Sequence, residues 1–132
     1  MKNEAYDPSG HIKLSVTDID KSKAFYSALF KTLGFKRVAY GELKAGWVTN
    51  GGFGISIVQA KILRPKHKFT APGFHHLCLK ARSTKVVDSV YKLIKAKTHA
   101  YDAPQKYPEY SKKYYAVFFA DPDGMKLEVA YY

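Results

Sequence analysis

Residues 11–29, "HIKLSVTDIDKSKAFYSAL", and residues 76–94, "HLCLKARSTKVVDSVYKLI", are two versions of one pattern. Laid over each other, His11 falls on His76, Leu14 on Leu79, Phe25 on Val90, Tyr26 on Tyr91 and Leu29 on Ile94. Each begins with apolar and polar residues in alternation, as a half-buried strand requires, and continues through a polar turn at helical spacing. Ala24, Phe25, Ala28 and Leu29 form the apolar face of the first helix; Val86, Val87, Val90, Tyr91 and Ile94 form that of the second. Asp18 or Asp20 caps the first helix and Ser83 the second.

The match extends downstream at a larger offset. "TNGGFGISIV" at 49–58 lies over "DPDGMKLEVA" at 121–130, each a turn followed by an alternating strand, with Gly52 on Gly124 and Ile55 on Leu127. The extra residues fall in "APQKYPEYSKKYY" of the second copy. Each copy thus holds a strand, a helix and three more strands. These are "KRVAYGE", "AGWVTN" and "GISIVQ" in the first, and residues 98–102, "YYAVFFA" and "MKLEVAY" in the second. The expected organisation is a tail at 1–10, a first βαβββ module at 11–62, a linker rich in Pro, Gly and charge at 63–73, and a second module at 74–132. The fold class is α+β, a curled mixed sheet around a cavity with the helices outside.

Parity then places particular side chains. Ile12, Leu14 and Val16 alternate with His11, Lys13 and Ser15, as Leu77, Leu79 and Ala81 do with His76, Cys78 and Lys80. The apolar set belongs under the helix, so both histidines face the other side. By the same rule Leu127 and Val129 face the helix and Glu128 faces away. A lone strand glutamate is usually just solvated. Two sheets curling together would instead bring His11, His76 and Glu128 into one cavity.

Composition bounds the function. Hydrophobic residues make up 46% of the 132, enough for one core, and no segment offers the roughly 20 apolar residues of a membrane helix. Cys78 is the single cysteine, which excludes an internal disulfide and a CxxC zinc site and points to a reducing, cytoplasmic location. The net charge of +11 raises nucleic acid as a partner. Yet the 22 Lys and Arg residues are dispersed and accompany no nucleic-acid-binding motif. The charge instead favours a small anionic substrate.

"HIKLSVTDIDKSKAFYSALFKTLGF", "FHHLCLKA" and "FFADPDGMKLEVAYY" together resemble the vicinal oxygen chelate superfamily of glyoxalase, bleomycin-resistance and extradiol dioxygenase proteins. The resemblance covers essentially everything after the tail. It implies metal ligands from the first and last strand of each module: His11, Ser56, His76 and Glu128. Glyoxalase carries a carboxylate or amide where Ser56 stands, so glutathione-dependent isomerisation of that type loses a proton-transfer base. His11, His76 and Glu128 remain, the two-histidine, one-carboxylate set of the extradiol branch, suited to Fe, Mn, Ni, Co or Zn. The implied activity is lyase, isomerase or dioxygenase chemistry on a small oxygen-chelating substrate. The alternative is a metal-free protein of the bleomycin-resistance kind that sequesters a ligand.

Each candidate also has a plainer reading. His75 should point to the helix side in a regular strand, and a one-residue bulge would exchange it with His76. Gln59 has the wrong parity for a ligand. Cys78 shares the face of His76, where a small thiol is commonly packing. His67 and His99 read as surface residues. Tyr107, Tyr110, Tyr114 and Tyr115 are ordinary packing aromatics, or else a loop over the cavity whose phenol, Tyr114 for one, meets substrate. Lys13, Lys80 and Lys126 share the cavity parity, and Ser56, Tyr114, Lys13 and Cys78 are the substrate-binding candidates. Eleven tyrosines and eight phenylalanines exceed what so small a core hides, so a homodimer is expected.

Overall fold

The computed structural model describes residues 5–132; the first four residues of the expected tail lie outside them. The first unit runs β1 (His11–Val16), α1 (Ile19–Leu33), β2 (Lys36–Tyr40), β3 (Lys44–Val48), β4 (Gly54–Gln59). The second runs β5 (Leu77–Lys80), α2 (Thr84–Lys95), β6 (Gln105–Lys106), β7 (Tyr115–Ala120), β8 (Lys126–Tyr131). Each makes a mixed four-stranded sheet, ordered β1-β4-β3-β2 and β5-β8-β7-β6. β1 pairs with β4 in parallel, as β5 does with β8, and the other pairs are antiparallel.

The helices start and stop where their sequence dictates. The Asp18 carboxylate accepts from the Asp20 and Lys21 amides, and Gly34 at φ 86° ends α1. The Ser83 hydroxyl accepts from the Val86 amide at the start of α2. Phe25, Tyr26, Leu29 and Phe30 of α1 are buried, as are Val87, Val90 and Ile94 of α2.

The turn before the last strand of each unit is built twice on one plan. Thr49 Oγ1 accepts from the Phe53 amide, and Asp121 Oδ1 accepts from the Asp123 and Met125 amides. Gly52 and Gly124 close these turns with φ of 93° and 84°, which suits glycine.

One core serves both units. α1 and α2 pack together, and Phe25 of α1 meets Phe119 of β7, ring centroids 6.4 Å apart. Polar ties cross at the same place. The buried Tyr26 hydroxyl donates to Asp121 Oδ2 (2.6 Å), and the Thr17 amide and hydroxyl donate to Asp123. The units therefore meet through helices and the Asp121–Gly124 turn, not through their cavity faces. The sheets stay open to one another, so the single cavity expected from parity does not form inside one chain. Parity assigns a face within each sheet; the long-range helix contact sets how the sheets stand.

Two local expectations also change. Residues 98–102 form no strand beyond a bridge from Ala100 to Phe119; the edge position goes to Gln105–Lys106. His75 precedes β5, escapes strand alternation and sits beside His76 on the cavity side rather than toward the helix. At the other sheet's edge, every residue of β2 is exposed and its register with β3 shifts between Arg37 and Ala39. Among the described residues no helix is long and apolar enough to cross a membrane.

Candidate functional site

The second sheet carries the polar constellation. Register places Glu128 between Cys78 of β5 and Phe118 of β7, and Glu128 is only 3% exposed. Its Oε1 accepts from the Tyr114 hydroxyl at 2.6 Å, and its Oε2 lies 3.1 Å from His76 Nε2. His76 Nδ1 is in turn 2.7 Å from His75 Nδ1. One proton on that imidazole pair completes a hydrogen-bonded chain from Tyr114 to His75. Cys78 Sγ lies 3.9 Å from the Tyr114 hydroxyl. Burial first, then the Glu128 charge, pushes the Cys78 thiol up to about 12. Burial and the bond to Glu128 also raise the Tyr114 phenol. At neutral pH both therefore keep their protons, and Cys78 is a poor nucleophile.

His75, His76, Tyr114 and Glu128 line a cavity of about 410 Å³ with Tyr110, Phe118 and Lys126. Lys126 Nζ stands over the rings of Phe69, Phe118 and Tyr101, 4.5, 5.2 and 5.7 Å from their centroids. Such contacts hold an ammonium in place without neutralising it. Lys80 reaches over Tyr132, which stacks on Tyr114.

The first sheet carries a different cavity. It holds about 360 Å³ over β1, β2, β3 and β4, and His11, Lys13 and Ser56 are among the residues that line it. His11 is exposed and beside Gly54, where an added Cβ would come within 3.3 Å of its own Cβ. Thus the structure brings His76, Glu128, Tyr114 and Cys78 together, and separately His11, Lys13 and Ser56. Among the described residues no three His, Cys, Asp or Glu side chains are grouped to hold a metal ion.

Gln59 turns away from both cavities: its amide donates to Thr17 O and its Oε1 accepts from the Ile19 amide. His67 and His99 are exposed, as expected. Tyr110 lies at the cavity as the loop reading expected, His75 joins His76 there rather than facing the helix, and Phe118 was not singled out. Phe118 was accessible to the parity argument, since it pairs with Glu128 across β7 and β8. His75 was not, because the chain before Leu77 is not in regular strand and both histidines turn to one side, 2.7 Å apart at their Nδ1 atoms.

The donor chemistry fits a divalent ion in part. Glu128 is a buried carboxylate whose sole ion-pair partner among the described residues is His76, the arrangement of a carboxylate and imidazole able to share a cation. Two donors fall short of the three or four protein ligands such ions usually take. His11 stands on the corresponding face of the other sheet.

A family model described as the Glyoxalase/Bleomycin resistance protein/Dioxygenase superfamily matches residues 9–129. Bacillus subtilis (strain 168) has a relative, the uncharacterized protein YqjT, 32% identical over 122 residues, which span 90% of this chain and 94% of that one. Among solved structures, one from Bacillus halodurans superposes with a TM-score of 0.80 at 22% identity, covering 95% of this chain and 96% of that one. A glyoxalase/bleomycin resistance protein from Albidiferax ferrireducens T118 superposes with a TM-score of 0.78 at 23% identity, covering 93% and 98%. With the repeat, the strand orders and the paired cavities, these matches settle the family: the chain belongs to the glyoxalase/bleomycin resistance protein/dioxygenase superfamily.

Proposed function

We propose that this chain is a metal-dependent enzyme of the superfamily, acting on a small oxygen-chelating substrate by lyase, isomerase or dioxygenase chemistry in the cytoplasm. The observation that carries the reading is Glu128, a carboxylate 3% exposed on a cavity wall with no Lys or Arg among the described residues paired to it. Burying such a charge is costly unless a cation or hydrogen bonds compensate. His76 and Tyr114 supply part of that compensation.

In this reading Glu128 and His76 of one module and His11 of another hold a divalent ion across a homodimer. Bound there, the ion would act as a Lewis acid toward vicinal oxygens of the substrate. The chain's own residues do the rest. Tyr114 fixes the Glu128 carboxylate by donating to Oε1, and His75 fixes the orientation of the His76 ring. Lys126 places a positive charge at the cavity mouth, suited to an anionic substrate. Ser56 brings no base, which disfavours glutathione-dependent glyoxalase chemistry.

Metal analysis of the purified protein tests the proposal. Glu128→Ala should strip the ion and Glu109→Ala should not; equal metal in both would overturn the ligand assignment. Mixing His11→Ala with Glu128→Ala protein should restore binding in mixed dimers, because each supplies the module the other lacks. Metal-free sequestration of a ligand is the second reading, favoured by the absence of a carboxylate at Ser56. It predicts that a ligand binds equally well before and after chelator treatment.

A further inference from the structure

We infer that the cavity face of the first sheet is a shelf for a small planar organic anion, of the aromatic carboxylate class. It rests on Ala39, Gly46 and Ser56 as floor and on Lys13 and Lys44 as charge. The inference deepens the reading above, in which this face becomes one wall of a shared cavity.

The floor follows from register. Ser56 pairs with Gly46 across β4 and β3, and Gly46 pairs with Ala39 across β3 and β2. Three adjacent strands therefore present only small groups in one cross-strand row. At the usual strand spacing that row is a smooth strip about 10 Å wide. A conjugated ring system can lie on it in contact with backbone and small side chains.

Nothing in the fold itself requires glycine at position 46. A Cβ there would meet Ser56 Cβ at 3.6 Å and Ala39 Cβ at 3.8 Å, ordinary contacts, and its φ is not in the left-handed region. Glycine weakens a strand interior, and a strand glycine free of backbone need often marks close approach of something else. The cavity above the row holds about 360 Å³, within the usual range for small ligands.

Charge selects what approaches. Lys13 flanks the floor from β1, in register with Ser56, and Lys44 flanks it at the start of β3. Among the described residues neither forms an ion pair, and no Asp or Glu lines the cavity. Two free ammonium groups beside an apolar strip favour a ligand with a flat apolar body and one carboxylate.

Titrating the full-length protein calorimetrically with 2-naphthoate in excess chelator tests this. Naphthoate should bind at least about tenfold more tightly than 2-naphthylmethanol, which lacks the charge, or decalin-2-carboxylate, which lacks the plane. Gly46→Val should melt no lower than the parent, since valine suits a strand, yet weaken naphthoate at least about tenfold. If that variant does not fold, Ser56→Val fills the same floor from the next strand. The double variant Lys13→Met/Lys44→Met should weaken naphthoate by about tenfold and leave the alcohol unchanged. Equal affinity for the three probes, undiminished binding to a folded variant with a filled floor, or no effect of the lysines would each overturn the shelf. No naphthoate binding to the parent, because a second copy's aromatic side chains already cover the floor, would overturn it too. Metal content, read separately, decides the proposal above, so either can fail alone.

Discussion

The two sheets are alike on one face and unlike on the other. Toward the helices, Trp47 pairs with Ile55 in the first sheet and Phe119 with Leu127 in the second, all four buried. Toward the cavities, the row Lys13, Ser56, Gly46 stands where the second sheet has Cys78, Glu128, Phe118. A repeated fold constrains bulk where its modules share a core and leaves the other face free to specialise. Here one cavity face carries small side chains and open space, while the other carries a carboxylate, an imidazole pair and aromatic walls.

The largest expected effects lie on the shared face. Trp47→Ala and Phe119→Ala should each lower unfolding free energy by about 3–5 kcal/mol in denaturant titrations. A tolerant response at either position would break the equivalence of the helix-facing rows. On the divergent face, Glu128→Ala should reduce metal affinity more than about a hundredfold, and Ser56→Ala less than about threefold. Similar losses at both would mean that the two rows contribute alike.

Smaller effects sharpen the boundary between the units. Tyr26→Phe leaves Asp121 without one buried donor and should cost about 1–3 kcal/mol without changing metal content. Asp121 titrates above its ordinary 3.8, chiefly because burial disfavours its charge. The folded chain thus holds this proton more tightly than the unfolded chain does. Stability should fall as pH rises from about 3.8 through the raised folded value, then level off. Asp121→Asn should remove that slope; melting curves of both proteins across this window would show the difference, and parallel curves would refute it.

Much of this was legible in the sequence. The alternation in residues 11–16 and 77–81 assigned faces, and Glu128 lies on the cavity side as parity requires. Asp18 and Ser83 cap the helices because their short side chains reach the first free amides. The standing of one sheet against the other was not legible. It depends on Phe25 meeting Phe119 and Tyr26 meeting Asp121, contacts between residues about a hundred positions apart that no local period encodes. "DPDG" was read as a turn alone, although its two aspartates also join the units. The edge strand near residue 100 was misplaced because the inserted loop follows its own turn chemistry through residues 103–115.

The exposed β2 strand has a consequence for how copies of this chain can meet. An open edge normally invites another strand to extend the sheet, the route to uncontrolled stacking. Here the register shift between Arg37 and Ala39 interrupts the row of backbone donors and acceptors. Lys36 and Arg37 add positive charge to the edge, with Arg37 held 4.3 Å from the Tyr40 ring centroid. Two such edges brought side by side would repel one another and mismatch their hydrogen bonds. Growth of this sheet by pairing one β2 edge with another is thereby disfavoured.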